Sequence, residues 1–233
     1  MSEPRQLPLA LDQRPALGRE ALAVGACNAE AVAWIDAWPA WPAPAVVVHG
    51  PAGGGKTHLV HAFAEKSGAA VMTGARLAEA DAPALAAAGA VAVDDADGVA
   101  GTAGEQPLLH LYNLMNEQGG ALFLTARTPV RDWPLRLPDL ASRLRAAPTA
   151  AITLPDDALF AAVLQKLFAD RQLDPGEAVI NYLLTHMERS FAAARNLVAA
   201  ADRRALAERK GITVPLVRGV LEAGPPATDP SAG

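Results

Sequence analysis

The sequence predicts an α/β fold, a parallel sheet flanked by helices, followed by a small all-helical domain. Three observations carry this expectation. Short apolar, β-branched runs alternate with helical stretches from Ala45 to Leu154. A glycine-rich turn ending in Lys56-Thr57 joins the first of those runs to the helix after it. Strand-like runs stop at Pro155, whereas helical periodicity continues to Leu221.

Taken in order, residues 1–17 contain Pro4, Pro8 and Pro15 with little periodicity, and read as an extended tail. Residues 18–154 form the α/β domain. A helix is expected over Glu30–Ala37, ended by the prolines around Trp41. Ala45–His49, bounded by Pro44 and Gly50, suits a buried parallel strand, and a helix follows from Lys56 to about Lys66. Further strands are expected over Ala69–Met72, Gly89–Asp94, Gly120–Thr125 and Thr149–Leu154. Leu108, Leu111, Tyr112 and Met115 give helical spacing to Glu105–Gln118, closed by Gly119-Gly120. Residues 155–222 read as four helices, Asp156–Asp170, Glu177–Met187, Ser190–Glu208 and Val214–Leu221, with Asp156 and Asp174 as N-caps and Pro175 at a first helical position. Residues 223–233, rich in Pro, Gly and Ala, read as a disordered tail.

The chain has 233 residues, enough for one core with a small satellite domain. Its net charge of −5 argues against a broad basic face for nucleic acid. The single cysteine, Cys27, excludes an internal disulfide and reads as a small buried hydrophobe. The first eleven residues carry no apolar stretch of leader length, and the most apolar run, Ala31–Val48, is broken by Asp36 and three prolines. No membrane association is expected, and a cytoplasmic location is the default.

Gly50-Pro51-Ala52-Gly53-Gly54-Gly55-Lys56-Thr57 fits G-x-x-x-x-G-K-[ST], between a strand and a helix. Such a loop turns successive backbone N–H groups inward around a phosphate, and the helix N-terminus adds partial positive charge. Lys56 is expected to reach the β- and γ-phosphates, and the Thr57 hydroxyl to ligate Mg²⁺. Val91-Ala92-Val93-Asp94-Asp95 places carboxylates at the C-terminal edge of an apolar strand, where open α/β sheets bind ligands. Asp94 is the expected Mg²⁺ anchor. Asp95 is a candidate for polarising the attacking water, with a solvated acidic turn as the alternative. Thr125, ending the fourth strand, is a candidate γ-phosphate sensor, although threonine is also a common strand residue. His49, His58 and His61 lack a third ligand for a separate metal site.

In this order and followed by a helical lid, these features resemble the AAA+ ATPases. The match narrows through Gly25-Ala26-Cys27-Asn28, Gly55-Lys56-Thr57-His58-Leu59 and Val93-Asp94-Asp95, which resemble the bacterial replication-initiator DnaA family. Leu137-Pro138-Asp139-Leu140-Ala141-Ser142-Arg143-Leu144 resembles that family's arginine-bearing box, and Gly211–Arg218 the lid end of its regulatory Hda branch. The resemblance covers roughly residues 5–222. It implies an AAA+ P-loop sheet with a helical lid, ADP or ATP with Mg²⁺ as cofactors, and nucleotide contacts from Asn28, Gly50, Pro51, Gly53, Gly54, Gly55, Lys56, Thr57 and His58. Gln6-Leu7-Pro8-Leu9-Ala10-Leu11 resembles the peptide by which Hda-type proteins dock on the DNA polymerase III sliding clamp, with Gln6, Leu7, Leu9 and Leu11 as its contacts. The alternative is that these leucines pack on the protein's own core. Because the lid is followed only by residues 223–233, the resemblance favours the regulatory branch, in which a DNA-binding domain like the initiator's is not expected.

The implied activity is regulatory: nucleotide-bound and tethered to the clamp, the protein would stimulate hydrolysis of DnaA-bound ATP and so limit initiation. Contact with DNA would come mainly through the clamp, and homo-oligomers are possible. Arg143 would be the arginine finger, entering the partner's nucleotide site, where such groups are worth roughly 10³–10⁵ in rate. The bland alternative is an Asp139–Arg143 helix ion pair at i, i+4, worth about 0.3–0.5 kcal/mol. Two features depart from the family. Leu144, Arg145 and Ala146 stand where relatives carry an aromatic and a glycine, and Ala192 stands where the lid's sensor arginine belongs. Arg189 and Arg195 flank that position by three residues, and Arg189, at the helix start, is the preferred substitute. Two rival readings are an ATPase acting directly on DNA, as a helicase loader does, and a small-molecule P-loop kinase.

Overall fold

A computed structural model describes residues 22–223. Helix α1 (Ala29–Ala37) precedes strand β1 (Ala45–His49). Then come α2 (Lys56–Ser67), β2 (Ala70–Thr73), α3 (Ala82–Ala86), β3 (Ala90–Asp94), α4 (Glu105–Gln118), β4 (Ala121–Ala126), α5 (Pro138–Ala146) and β5 (Thr149–Ala151). Four helices complete the described chain: α6 (Asp157–Ala169), α7 (Glu177–His186), α8 (Phe191–Glu208) and α9 (Val214–Ala223).

The five strands form one sheet in the order β2-β3-β4-β1-β5, and every neighbouring pair is parallel. The expected α/β class is borne out. β4 is inserted between β1 and β3, pairing Val48 with Thr125 on one side and Val93 with Leu124 on the other. This order brings the ends of β1, β3 and β4 together, which is why Lys56, Asp94 and Thr125 meet although they are far apart in sequence. Strand side chains alternate between two cores, as the pleat requires. Ala45, Val47, Val91, Val93, Leu122 and Leu124 face α3, α4 and α5. Val46, Val48, Ala90, Ala92 and Phe123 face α1 and α2, where Phe63 stacks on Phe123 at 5.0 Å and on Trp41 at 5.2 Å.

The structure differs from the sequence expectations in detail. β5 stops at Ala151 rather than Leu154: Ile152 still donates to His49 O at the end of β1, but Thr153 turns away to donate to Cys27 O. The alanine-rich segment after β2 forms a 3-10 turn over Gly74–Glu79 and then α3, capped by Asp81 accepting from Ala84 N at 3.2 Å. The arginine-bearing box is itself a helix, α5, with Pro138 in its first turn. In the last four helices, Asp156 caps α6 by accepting from Leu159 N at 2.8 Å. α7 is capped instead by Gly176, whose extended ψ of 158° separates Pro175 from the helix, so Asp174 is not its cap. These helices close on a core of their own that includes Phe160, Leu164, Phe168, Leu183, Val198 and Val217. No helix among the described residues is long and apolar enough to cross a membrane.

Candidate nucleotide site

The loop from Gly50 to Gly55 connects β1 to α2, with Gly53 at φ 75° and Gly55 at φ 96°, a left-handed region that side chains avoid. Lys56 is 7% exposed and folds back into the loop, its Nζ donating to Gly50 O and Pro51 O at 2.9 Å each. Burial pushes its ammonium below the ordinary lysine value, while Asp95 and Asp94 oppose that shift. The ammonium, the α2 N-terminus and the bent loop together make a site for an anion.

Asp94, at the end of β3, joins two neighbouring elements. Thr57 donates its hydroxyl to Asp94 Oδ2 at 2.6 Å, and Thr125 donates its own to Oδ1. The Asp95 amide donates to Thr125 Oγ1 at 3.2 Å and to Asp94 Oδ1 at 3.1 Å, holding Asp95 at φ 49°. One hydroxyl and one carboxylate thus converge as hard oxygen donors of the kind Mg²⁺ takes alongside phosphate oxygens. His58 lies one position beyond Thr57 on α2, half-buried. A cleft of about 680 Å³ opens beside Thr57 and Asp94, and its walls include His61, Thr73 and Arg76.

Three residues of this corner were not singled out by motif. Arg127, two residues after Thr125, has its Nε 4.0 Å from Asp95 Oδ1, and its amide donates to Asp97 Oδ2 at 3.0 Å. Ser190 and Phe191, at the start of α8, rest directly on the loop. The Phe191 amide donates to Gly53 O at 3.1 Å, and a Cβ added at Gly53 would stand 2.2 Å from Ser190 Cβ. The signal in sequence was only the serine cap, whose hydroxyl accepts from Ala193 N at 3.0 Å.

The remaining expected site residues are placed as follows. Asn28 is 3% exposed, and its amide is used within its own turn, accepting from Gly25 N at 2.9 Å and donating to Ala23 O at 2.8 Å. Arg189 pairs with Asp157 of α6 at 2.6 Å. Arg195 lies one turn after Phe191 on α8, and burial lowers its guanidinium from the ordinary value. Arg143 sits apart from the phosphate loop, on α5 beside α4. Its Nη2 is 3.5 Å from Asp139 Oδ2, and its Cζ lies 5.7 Å from the centre of the Tyr112 ring. Gln6, Leu7, Leu9 and Leu11 lie outside the described residues.

Glu105, at the first turn of α4, was read only as a helix start. It is 2% exposed and accepts four hydrogen bonds, from Gly101 N at 2.6 Å, Arg136 N at 3.1 and 2.9 Å, and Leu137 N at 2.8 Å. Burial alone would raise its pKa. The amides of Arg136, Gly101 and Leu137, with the Arg136 charge, outweigh that and hold the carboxyl below its ordinary value.

Residues 156–221 match the family model described as Hda, lid domain. Over these residues the helical domain is similar to the lid of Hda. As a whole, the chain is similar to domain III of the Thermotoga maritima replication initiation protein DnaA, with a TM-score of 0.77 and 16% identity, covering 91% of this chain and 98% of that one. It is similar to AMPPCP-bound DnaA from Aquifex aeolicus with a TM-score of 0.67 and 19% identity, over 84% of this chain and 70% of that one. The Thermotoga maritima RuvB Holliday junction branch migration motor matches with a TM-score of 0.61 and 16% identity, over 77% of this chain and 61% of that one. These likenesses give the AAA+ fold. The lid match over residues 156–221 accords with the resemblance to Hda noted in the sequence.

Proposed function

We propose that this protein is a DnaA-related regulator of replication initiation. With ADP or ATP and Mg²⁺ bound, and tethered to the DNA sliding clamp through Gln6, Leu7, Leu9 and Leu11, it stimulates hydrolysis of DnaA-bound ATP. The observation that carries the reading is the continuity of an Hda lid with a phosphate loop of the DnaA-like fold, joined where Phe191 donates to Gly53 O.

In this reading the loop amides and Lys56 neutralise phosphate charge, Thr57 and Asp94 hold the metal, and Thr125 reports the γ-phosphate position through its bond to Asp94. A magnesium nucleotide bound there would supply the metal charge that these residues share with the phosphate oxygens. Asp95, held beside Arg127, faces a cation as well as any water it polarises, which suits weak intrinsic hydrolysis. Arg143 acts in trans. Its contacts are with α4 and its own helix, and its guanidinium enters the partner's site to offset charge developing on the transferred phosphoryl group.

The test is hydrolysis of ATP pre-bound to DnaA, with this protein, ADP and clamp-loaded DNA added. Strong stimulation is expected, lost in Arg143→Ala and losing its clamp dependence in Leu9→Ala with Leu11→Ala. No stimulation by folded, nucleotide-bound protein overturns the reading and shifts the weight to a loader-like ATPase acting on DNA.

A further inference from the structure

Arg143 is held by something other than its carboxylate neighbour. The Asp139 contact, at 3.5 Å, is at the outer limit of hydrogen bonding, and the Asp139 side chain is 68% exposed. Arg143 Nε is buried and has no hydrogen-bond partner among the described residues. An unpartnered buried donor is costly unless another interaction offsets it. The guanidinium lies over the ring of Tyr112, its Cζ 5.7 Å from the ring centre, and Tyr112 is 7% exposed and two turns along α4 from Glu105.

The chemistry of that contact differs from an ion pair. A carboxylate takes up the in-plane N–H donors of a guanidinium, the same donors that recognise phosphoryl oxygens. An aromatic ring attracts the cation through its face and leaves those donors unspent. The backbone beneath Arg143 is fixed independently, because Glu105 ties the residues leading into α5, Arg136 and Leu137, to the first turn of α4. The helix is therefore tied by Glu105, the guanidinium lies over Tyr112, and its one carboxylate contact, Nη2 to Asp139, is weak and exposed.

We propose that Tyr112 is the positioning residue for Arg143, holding the guanidinium over its ring face so that its N–H donors stay available for the phosphoryl oxygens of an AAA+ partner. This rests on the trans-acting role given to Arg143 above. Asp139 serves as a temporary partner that the incoming phosphate displaces.

The experiment uses the full chain and four variants: Tyr112→Phe, Tyr112→Leu, Arg143→Ala, and Tyr112→Leu combined with Arg143→Ala. Stimulation of DnaA-bound ATP hydrolysis should fall roughly 3- to 30-fold in Tyr112→Leu, the range of a partly to fully desolvated cation–π contact, and stay within about twofold in Tyr112→Phe. ADP affinity should hold in both, and the double variant should do no worse than Arg143→Ala alone. In ¹⁵N-labelled protein, the Arg143 Nε proton should be shifted by the ring current in wild type and Tyr112→Phe, and return to an ordinary position in Tyr112→Leu. This measurement stands whether or not DnaA is stimulated. Full stimulation in Tyr112→Leu, equal losses in the Phe and Leu variants, or an unshifted Nε proton in wild type would overturn the assignment. Absence of stimulation by wild type itself, with the ring-current shift present, would instead refute the trans-acting role on which it rests.

Discussion

Substituting Gly53 by alanine tests whether the lid rests on the phosphate loop. At φ 75° an L-residue pays about 1–2 kcal/mol for the left-handed conformation. The new Cβ would stand 2.2 Å from Ser190 Cβ and 2.8 Å from its Oγ, so one of the two segments has to retreat. Overpacking of this kind costs about 1–3 kcal/mol. Retreat also strains the bond from Phe191 N to Gly53 O, worth about 0.5–1.5 kcal/mol. The total is roughly 3–6 kcal/mol. Ser190→Gly removes both clashing atoms and, as an N-cap change, costs only about a few tenths of a kcal/mol. In that background Gly53→Ala should retain little more than the backbone cost, giving a coupling of about 2–4 kcal/mol. Urea unfolding of the four proteins, followed by far-UV circular dichroism and by tryptophan fluorescence, gives the cycle. The described tryptophans, Trp34, Trp38, Trp41 and Trp133, all precede α6, so fluorescence reports the α/β domain. A Gly53→Ala cost that is the same in both backgrounds, within about 0.5 kcal/mol, refutes the lid–loop contact.

Glu105→Gln should destabilise the protein by about 3 kcal/mol, since an amide presents an N–H to backbone donors that a carboxylate satisfies. Because the folded-state pKa of Glu105 is depressed, its contribution is fully present above the unfolded value of about 4.3 and is lost as pH falls through the folded value. The stability gap between wild type and Glu105→Gln, measured by urea titration, should therefore be constant near neutrality and narrow below about pH 4. A gap that widens on acidification contradicts the hydrogen-bond account. In the lid, Arg189→Ala should leave ADP affinity within about twofold, because that guanidinium is engaged by Asp157, and should cost about 0–1 kcal/mol of stability. Arg195→Ala should weaken ADP binding more than Arg189→Ala does in a fluorescent-nucleotide titration. Equal effects would show that neither reaches the nucleotide.

The phosphate loop and the strand ending in Asp94 were legible because each depends on local chemistry: apolar runs, glycines, and a carboxylate at a strand end. The meeting of Thr57, Asp94 and Thr125 was legible only as an expectation, since it depends on β4 lying between β1 and β3, which no local pattern states. Glu105 was hidden for a related reason. Its partners are backbone amides 31 and 32 residues away, which carry no side-chain signature. The segment between Gly74 and Ala86 was hidden by its alanine content, which blurs helical periodicity. Arg189 reads as a lid-sensor candidate because its position just before a helix is readable, whereas its pairing with Asp157 of α6 depends on how the lid helices pack.

The helix that carries Arg143 is moored at both ends. Its leading residues hang from the buried Glu105 carboxylate, and after its last turn the chain passes within a few residues into β5. There Ile152 fills the space beside Gly50 at the floor of the phosphate loop, where an added Cβ would come within 2.4 Å of its side chain. The helix is thus tied to α4 at one end and to the sheet beneath the phosphate loop at the other. The arginine-bearing face is therefore anchored through the sheet, whereas the lid meets the loop through Ser190 and Phe191. Any change in how that face greets a partner has to be made by rotation about the bonds of a single side chain.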